Sequence, residues 1–165
     1  MYLLDANVLI SAAERNYPPD VVPGFWDQLL DAVANGEVKI PEAVYREVTT
    51  LEDKWLTGWL KNNVDQRRGD VLYENLAQAR MLARVADWVT DPARPYASRH
   101  VNNFLRHADP RLIAAAATEA AVVVTYEERV TDPNSTKVKI PNVADEFGVA
   151  CVLPMEMFRS LRRTL

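Results

Sequence analysis

Asp109-Pro110-Arg111-Leu112-Ile113-Ala114-Ala115-Ala116-Ala117-Thr118-Glu119 runs on into Ala120-Ala121-Val122-Val123-Val124-Thr125. Two hydrophobic patterns follow one another there. Proline just inside the start, Leu112, Ile113 and Ala116 at helical spacing, and a run of alanines predict a helix. The unbroken Val122-Val123-Val124 that follows predicts a strand buried on both faces, the signature of a parallel sheet covered by helices. The helix Pro110–Glu119 rises about 15 Å at 1.5 Å per residue. The strand Ala121–Thr125 runs back about 16 Å at 3.3 Å per residue. The chain has to reverse between them, so Asp109 falls at the same edge as the residues after Thr125, namely Glu127 and Glu128.

Outward from this unit the same alternation recurs. Tyr2-Leu3-Leu4 reads as a first strand ending at Asp5, with Asn7 in position to cap a short helix through Val8-Leu9-Ile10. Val22, Phe25, Trp26, Leu29, Leu30 and Val33 form a helical stripe closed by Gly36, and Val38-Lys39-Ile40 is a second strand. Pro41 opens a helix on which Val44, Glu47, Val48 and Leu51 share one face. Residues from about 53 to 107 read as a nearly all-helical insert, broken at Gln66-Arg67-Arg68-Gly69 and at Asp91-Pro92-Ala93-Arg94-Pro95, with Ser98 as a further cap. A polar loop through Asp132-Pro133-Asn134-Ser135-Thr136, a helix Asn142–Phe147, a strand Val149–Leu153 and a helix opened by Pro154 complete the chain. These elements predict one α/β domain over residues 1–165, a three-layer α/β/α arrangement around a short parallel sheet.

Composition bounds the function. With 165 residues, 48% of them apolar and 25% charged, the chain is an ordinary globular domain and not a disordered one. Nineteen Lys+Arg against twenty-three Asp+Glu give a net charge of −4, which excludes a strongly cationic nucleic-acid coat protein but leaves room for a local basic groove. Cys151, the single cysteine, sits in Val149-Ala150-Cys151-Val152-Leu153 and reads as a buried small hydrophobe; with two histidines it makes no zinc site. The opening Met1-Tyr2-Leu3-Leu4-Asp5 has no basic leader region and no stretch approaches a membrane span, so a cytoplasmic protein with no membrane association is expected.

Ligands of open α/β sheets bind at the carboxyl edge of the strands. Asp5 lies at that edge after the first strand, and Asp109, Glu127 and Glu128 are brought there by the reversal, provided the two strands are parallel. Glu47, on the inward stripe of its helix, is compatible with the same rim but not placed by this construction. Each acid also has a structural reading: Asp109 and Asp5 as helix caps, Glu47 as a residue reaching solvent, Glu127 and Glu128 as loop charges. Together, carboxylates at close range raise one another's pKa and require a counter-charge. No Lys or Arg adjoins all four, so Mg²⁺ or Mn²⁺, ions that take all-oxygen ligands, are the expected partners.

Leu3-Leu4-Asp5-Ala6-Asn7-Val8-Leu9-Ile10 resembles the opening of a PIN domain, the nuclease fold of VapC-type toxins. Val44-Tyr45-Arg46-Glu47-Val48, Ala108-Asp109-Pro110-Arg111-Leu112-Ile113-Ala114-Ala115-Ala116 and Val123-Val124-Thr125-Tyr126-Glu127 match it in order, so the likeness spans nearly the whole chain. What the resemblance implies is a PIN-like fold and a Mg²⁺- or Mn²⁺-dependent ribonuclease, commonly the toxin of a type II toxin–antitoxin pair, with an antitoxin partner and a homodimer. It assigns Asp5, Glu47 and Asp109 to the metal site and puts Asn7 where the family has a small polar residue. Most relatives carry Asp two residues after the threonine, where this chain has Glu127 followed by a second acid, Glu128. The insert and the loop after Arg129 are also longer than in minimal members, which points to a variant subfamily.

The expected chemistry is metal-assisted hydrolysis of RNA phosphodiesters, with Asp5, Glu47, Asp109 and Glu127 as catalytic and metal-holding acids and Glu128 as the alternative fourth acid. Asn7 and Thr125 are expected to orient them by hydrogen bonds. RNA reaching an acidic rim needs flanking cations, for which Arg46, Lys54, Lys61, Arg67, Arg68, Arg99 and Arg106 are candidates. Trp55 and Trp59 could stack bases or anchor the core, and Arg159, Arg162 and Arg163 form a basic group that could receive an acidic antitoxin tail. Two other readings share these residues: a non-catalytic scaffold binding RNA or protein, and a structure-selective DNA nuclease. Setting the four acids aside leaves nineteen against nineteen Lys+Arg, so the whole negative excess can be a metal site.

Overall fold

The computed structural model describes residues 1–51, 54–64 and 66–162. Asp53, where the insert is expected to begin, and Arg163 of the basic C-terminal group lie outside the described residues. Five short strands, β1 (Tyr2–Leu4), β2 (Val38–Pro41), β3 (Val71–Leu72), β4 (Val122–Val124) and β5 (Cys151–Val152), form one sheet in the order β3-β2-β1-β4-β5. Every neighbouring pair is parallel. The register Tyr2↔Val122, Leu3↔Val123 and Leu4↔Val124 ends β1 and β4 level with one another. This is the parallel α/β arrangement that the alternation of strands and helices predicts.

Why β1 and β4 are continuously apolar is visible in their packing. Leu3 and Val123 point into one core, with α5 (Leu76–Thr90), α6 (Ser98–Arg106), α7 (Asp109–Glu119) and α8 (Ile140–Glu146) over them. Leu4 and Val124 point into the other, against α1 (Ala6–Ser11), α2 (Pro23–Ala34), α3 (Glu42–Thr49), α4 (Trp55–Asn63) and α9 (Pro154–Ser160). Successive residues of a strand face opposite sides, so strands covered on both faces, as β1 and β4 are, take apolar residues at every position. Val123 and Val124 are fully buried, each stabilising the fold by roughly 1.5–3 kcal/mol.

On the α2 side an aromatic knot fixes the layer: the Trp26 ring lies 4.8 Å from Trp55 and 5.0 Å from Trp59, edge-on to both. Its Nε1 donates to the Tyr17 carbonyl at 2.9 Å. Trp55 and Trp59 are thus tied to Trp26, although Trp55 keeps 47% of its surface exposed.

Several local expectations shift. The stretch read as nearly all helical contains β3, which pairs Val71 with Ile40 and Leu72 with Pro41; two residues are too few to show a period. Asp5, not Asn7, caps α1: its carboxylate accepts from the Asn7 backbone N–H. Ser98 is the first residue of α6 and makes no capping bond. The last strand is shorter than expected, and Cys151 on it is half-buried, with burial pushing its thiol up to about 11. The turn between α7 and β4 is made by Ala120 in the left-handed conformation, φ 50° and ψ 42°. Among the described residues no helix is long and apolar enough to cross a membrane.

Candidate active site

Level strand ends bring together the residues that follow them. Asp5, one residue beyond β1, is 1% exposed. Its Oδ1 accepts from the Asn7 N–H at 3.2 Å and its Oδ2 from the Thr125 hydroxyl at 2.8 Å. Burial raises its carboxyl to about 6. The bonds from Thr125 and Asn7 oppose that rise, and the charges of Glu127 and Glu47 add to it. Thr125, the residue after β4, is buried and works in two directions, since its Oγ1 also accepts from the Glu127 N–H at 3.0 Å. Asn7 takes part through its backbone, and the residue itself is exposed.

Asp109 is the first residue of α7. Ala108 occupies the capping position and no side chain caps the helix, so the capping reading of Asp109 fails. Burial pushes its carboxyl up to about 7, and the charges of Asp5, Glu127 and Glu47 push the same way, against a smaller lowering by His107. Glu47, from the middle of α3, reaches across to the start of α7, where its Oε2 accepts from the Ala108 N–H at 2.9 Å. A helix N-terminus leaves such N–H groups without intrahelical partners, which gives Glu47 a partner in place of solvent.

Glu127 accepts from Lys139 Nζ at 2.9 Å through one oxygen and from the Ile140 N–H at 2.7 Å through the other. Glu128 is exposed and is not among the charges acting on Asp5 or Asp109. Hydrogen bonds thus link Asp5 through Thr125 to Glu127, and Glu47 to the residue before Asp109; the charges of Glu47 and Glu127 act on both Asp5 and Asp109, and Glu128 takes no part in these contacts.

Among the described residues, no three Asp, Glu, His or Cys side chains stand in a group that could hold a metal ion as they lie. The donor chemistry nonetheless suits a hard divalent cation. Buried Asp5 and half-buried Asp109 repel each other with no Lys or Arg paired to either among the described residues, and the donor set is all oxygen.

Beside Glu47 a cleft of about 530 Å³ opens, lined in part by Arg46, Arg106, His107, Arg111 and the buried Gln78. Of the cations proposed from sequence, Arg46 and Arg106 border this cleft, with Arg46 paired to Glu42 at 2.5 Å. Lys61, Arg67 and Arg68 line a separate hollow, and Lys54 is bound to Glu14. Sequence reasoning passed over Arg111, two positions beyond Asp109, and Lys139. The signal for the latter is a lone cation between Val138 and Ile140.

A five-stranded parallel sheet with helices on both faces is a PIN-like α/β fold. A family described as a domain of unknown function, DUF4411, matches residues 2–165, and the chain belongs to it. None of the curated proteins matches the chain. Among solved structures, that of FitAcB from Neisseria gonorrhoeae superimposes with a TM-score of 0.55 at 18% identity, covering 94% of this chain and 99% of that one. The structure of FitAB bound to an IR36 DNA fragment gives a TM-score of 0.53 at 20% identity, covering 93% and 95%. At these identities the likeness establishes a shared fold.

Proposed function

We propose that the protein is a divalent-metal-dependent endoribonuclease acting as the toxin of a toxin–antitoxin pair. The observation that carries this reading is the pair Asp5, buried, and Asp109, half-buried, whose carboxyls are raised to about 6 and about 7 with no Lys or Arg paired to them among the described residues. Burying charge without compensation is costly, and a site that keeps it is fitted for a cation. Asp5, Asp109 and Glu47 would hold Mg²⁺ or Mn²⁺, with Glu127 as the fourth carboxylate of the rim. When bound, such an ion supplies polarisation of the scissile phosphate and a lowered pKa for the attacking water.

The chain's own groups do the rest. Thr125 and the Asn7 N–H fix the Asp5 carboxylate, so the site is organised before substrate arrives. Glu47 keeps one oxygen on the Ala108 N–H, which leaves the other to complete the metal's ligands. Arg46, Arg106 and Arg111 flank the cleft beside Glu47 and would attract the phosphate backbone. An antitoxin partner is supported by the resemblance of the four motifs and by neighbours that bear the two-part names FitAcB and FitAB. A homodimer in the cytoplasm completes the proposal, and sizing in solution tests the dimer.

The decisive experiment is cleavage of single-stranded RNA with and without Mg²⁺ or Mn²⁺, in parallel with single-stranded and flap DNA. Wild type should cut RNA only with metal, and Asp5→Asn and Asp109→Asn should each abolish cleavage. Retained activity in either variant refutes the site, preference for flap DNA refutes the substrate, and RNA binding without cleavage favours the scaffold.

A further inference from the structure

Glu127 differs from the other three acids of the rim in being paired to a lysine among the described residues. Both of its oxygens are already engaged by donors, Lys139 Nζ on one and the Ile140 N–H, at the first residue of α8, on the other. Lys139 is not a surface lysine that happened to fold over. Asn142 clamps the same loop from α8 by a reciprocal pair of bonds, accepting from the Val130 N–H at 2.9 Å and donating to the Val130 carbonyl at 2.8 Å. Arg129 and Asp145 pin it again at 2.6 Å. The backbone that carries Lys139 is therefore fixed on both sides of the loop, and its side chain is 32% exposed beside a Glu127 side chain that is 23% exposed.

A divalent ion drawing on Glu127 would compete with a charge-assisted bond and a helix-terminal N–H at once, and it would approach a fixed ammonium of like charge. Asp5 also accepts at both oxygens, but from the neutral Thr125 hydroxyl and Asn7 N–H, and among the described residues neither it nor Asp109 is paired to an ammonium. Glu127 is nevertheless tied to Asp5 through Thr125, whose Oγ1 accepts from the Glu127 N–H at 3.0 Å and donates to Asp5 Oδ2 at 2.8 Å, so the lysine it holds stands beside the same rim. A compact ammonium in that place suits one ligand chemistry above others, an oxygen of a phosphodiester.

We propose that Glu127 is a positioning residue outside the metal's ligand set, and that it holds Lys139 at the rim to contact a non-bridging oxygen of the RNA phosphate. This rests on the metal-dependent nuclease reading above and narrows it: Asp5, Asp109 and Glu47 form the ligand set, and the fourth acid works through a lysine.

The test separates metal from RNA. Calorimetric titration with Mn²⁺ alone is compared across wild type, Asp109→Asn, Glu127→Gln and Lys139→Met. Binding of a short single-stranded RNA is then followed by fluorescence anisotropy in EDTA, with Lys139→Arg added. Glu127→Gln keeps an acceptor for the Ile140 N–H, and its melting temperature reports whether the fold survives.

The expected result is Mn²⁺ affinity within about fivefold of wild type in Glu127→Gln and Lys139→Met, and its loss in Asp109→Asn. RNA binding should weaken by about fivefold or more in Glu127→Gln and Lys139→Met and recover in Lys139→Arg. A larger loss of Mn²⁺ affinity in Glu127→Gln overturns the inference and makes Glu127 a ligand, leaving the nuclease reading standing. RNA binding in Lys139→Met equal to wild type overturns it as well. Wild-type protein that binds no Mn²⁺ overturns the nuclease reading together with this one.

Discussion

Replacing Asp109 by asparagine should make the metal-free protein more stable while destroying its activity. The Asp109 carboxyl is carried from its ordinary 3.8 to about 7, with burial as the main cause and Asp5, Glu127 and Glu47 adding to it. In the metal-free state the folded protein therefore holds a proton that the unfolded chain gives up above pH 4 or so. Its contribution to stability is fully present below the unfolded value and is lost as pH rises through about 7. At about 1.4 kcal/mol per pH unit, ionised Asp109 costs up to about 4 kcal/mol near neutrality. Asparagine has the same shape without the charge and should recover about 1–3 kcal/mol of it, with neighbouring carboxylates relaxed as well. For a domain of this size that is a rise in melting temperature of roughly 2–10 °C.

The assay is thermal unfolding in EDTA from pH 5 to pH 8 for wild type and variant, repeated at saturating Mn²⁺. Wild type should lose stability as pH rises, more steeply than Asp109→Asn, and should regain it when the ion binds the folded state alone. The variant should show the higher melting temperature at pH 7.5 in EDTA and little response to Mn²⁺. A variant that melts at or below wild type in EDTA, with an equal dependence on pH, would refute the claim that Asp109 is held as a strained acid.

Three further outcomes follow from the same geometry. Thr125→Val removes the hydroxyl that donates to buried Asp5 and accepts from Glu127; it should cost about 1–3 kcal/mol in denaturant melts at pH 8 and lower metal-dependent cleavage. Glu47→Gln keeps an acceptor for the Ala108 N–H and should unfold within about 1 kcal/mol of wild type, whereas Glu47→Ala should lose about 1–3 kcal/mol, both with impaired cleavage. Ala120→Gly relieves the left-handed conformation at the end of α7 and should stabilise the fold by about 0.5–1 kcal/mol, measured as a higher denaturation midpoint at unchanged slope.

The sheet and its parallel sense were legible in the sequence because Val122-Val123-Val124 has no polar face and its neighbours alternate helix with strand. The rim was legible in part, since chain reversal alone carries Asp109 to the end of β4. Glu47 was not, because its position depends on how α3 tilts against α7, a packing outcome that no periodicity encodes. Nor was the choice between Glu127 and Glu128. Adjacent residues of identical chemistry are separated only by the Thr125 hydroxyl below one and the N-terminus of α8 beyond it, contacts between segments remote in the chain. The strand β3 escaped because two residues show neither a period nor a propensity. Asp5 as cap of α1 was among the readings open at the outset, and its burial adds that the cap and the rim are the same carboxylate.

The bond between Glu47 and Ala108 spans 61 positions of the chain. It acts as a drawstring at the neck of everything between them, β3 and the helices α4 to α6 included. Such a closure makes the rim tolerant of what the enclosed segment contains: doubling the length of a flexible loop costs only about 0.6 kcal/mol in closure entropy. A chain built this way can gain, lose or reshape the surface that meets a partner or a substrate, while one carboxylate and one backbone N–H keep the two halves of its acid rim in register.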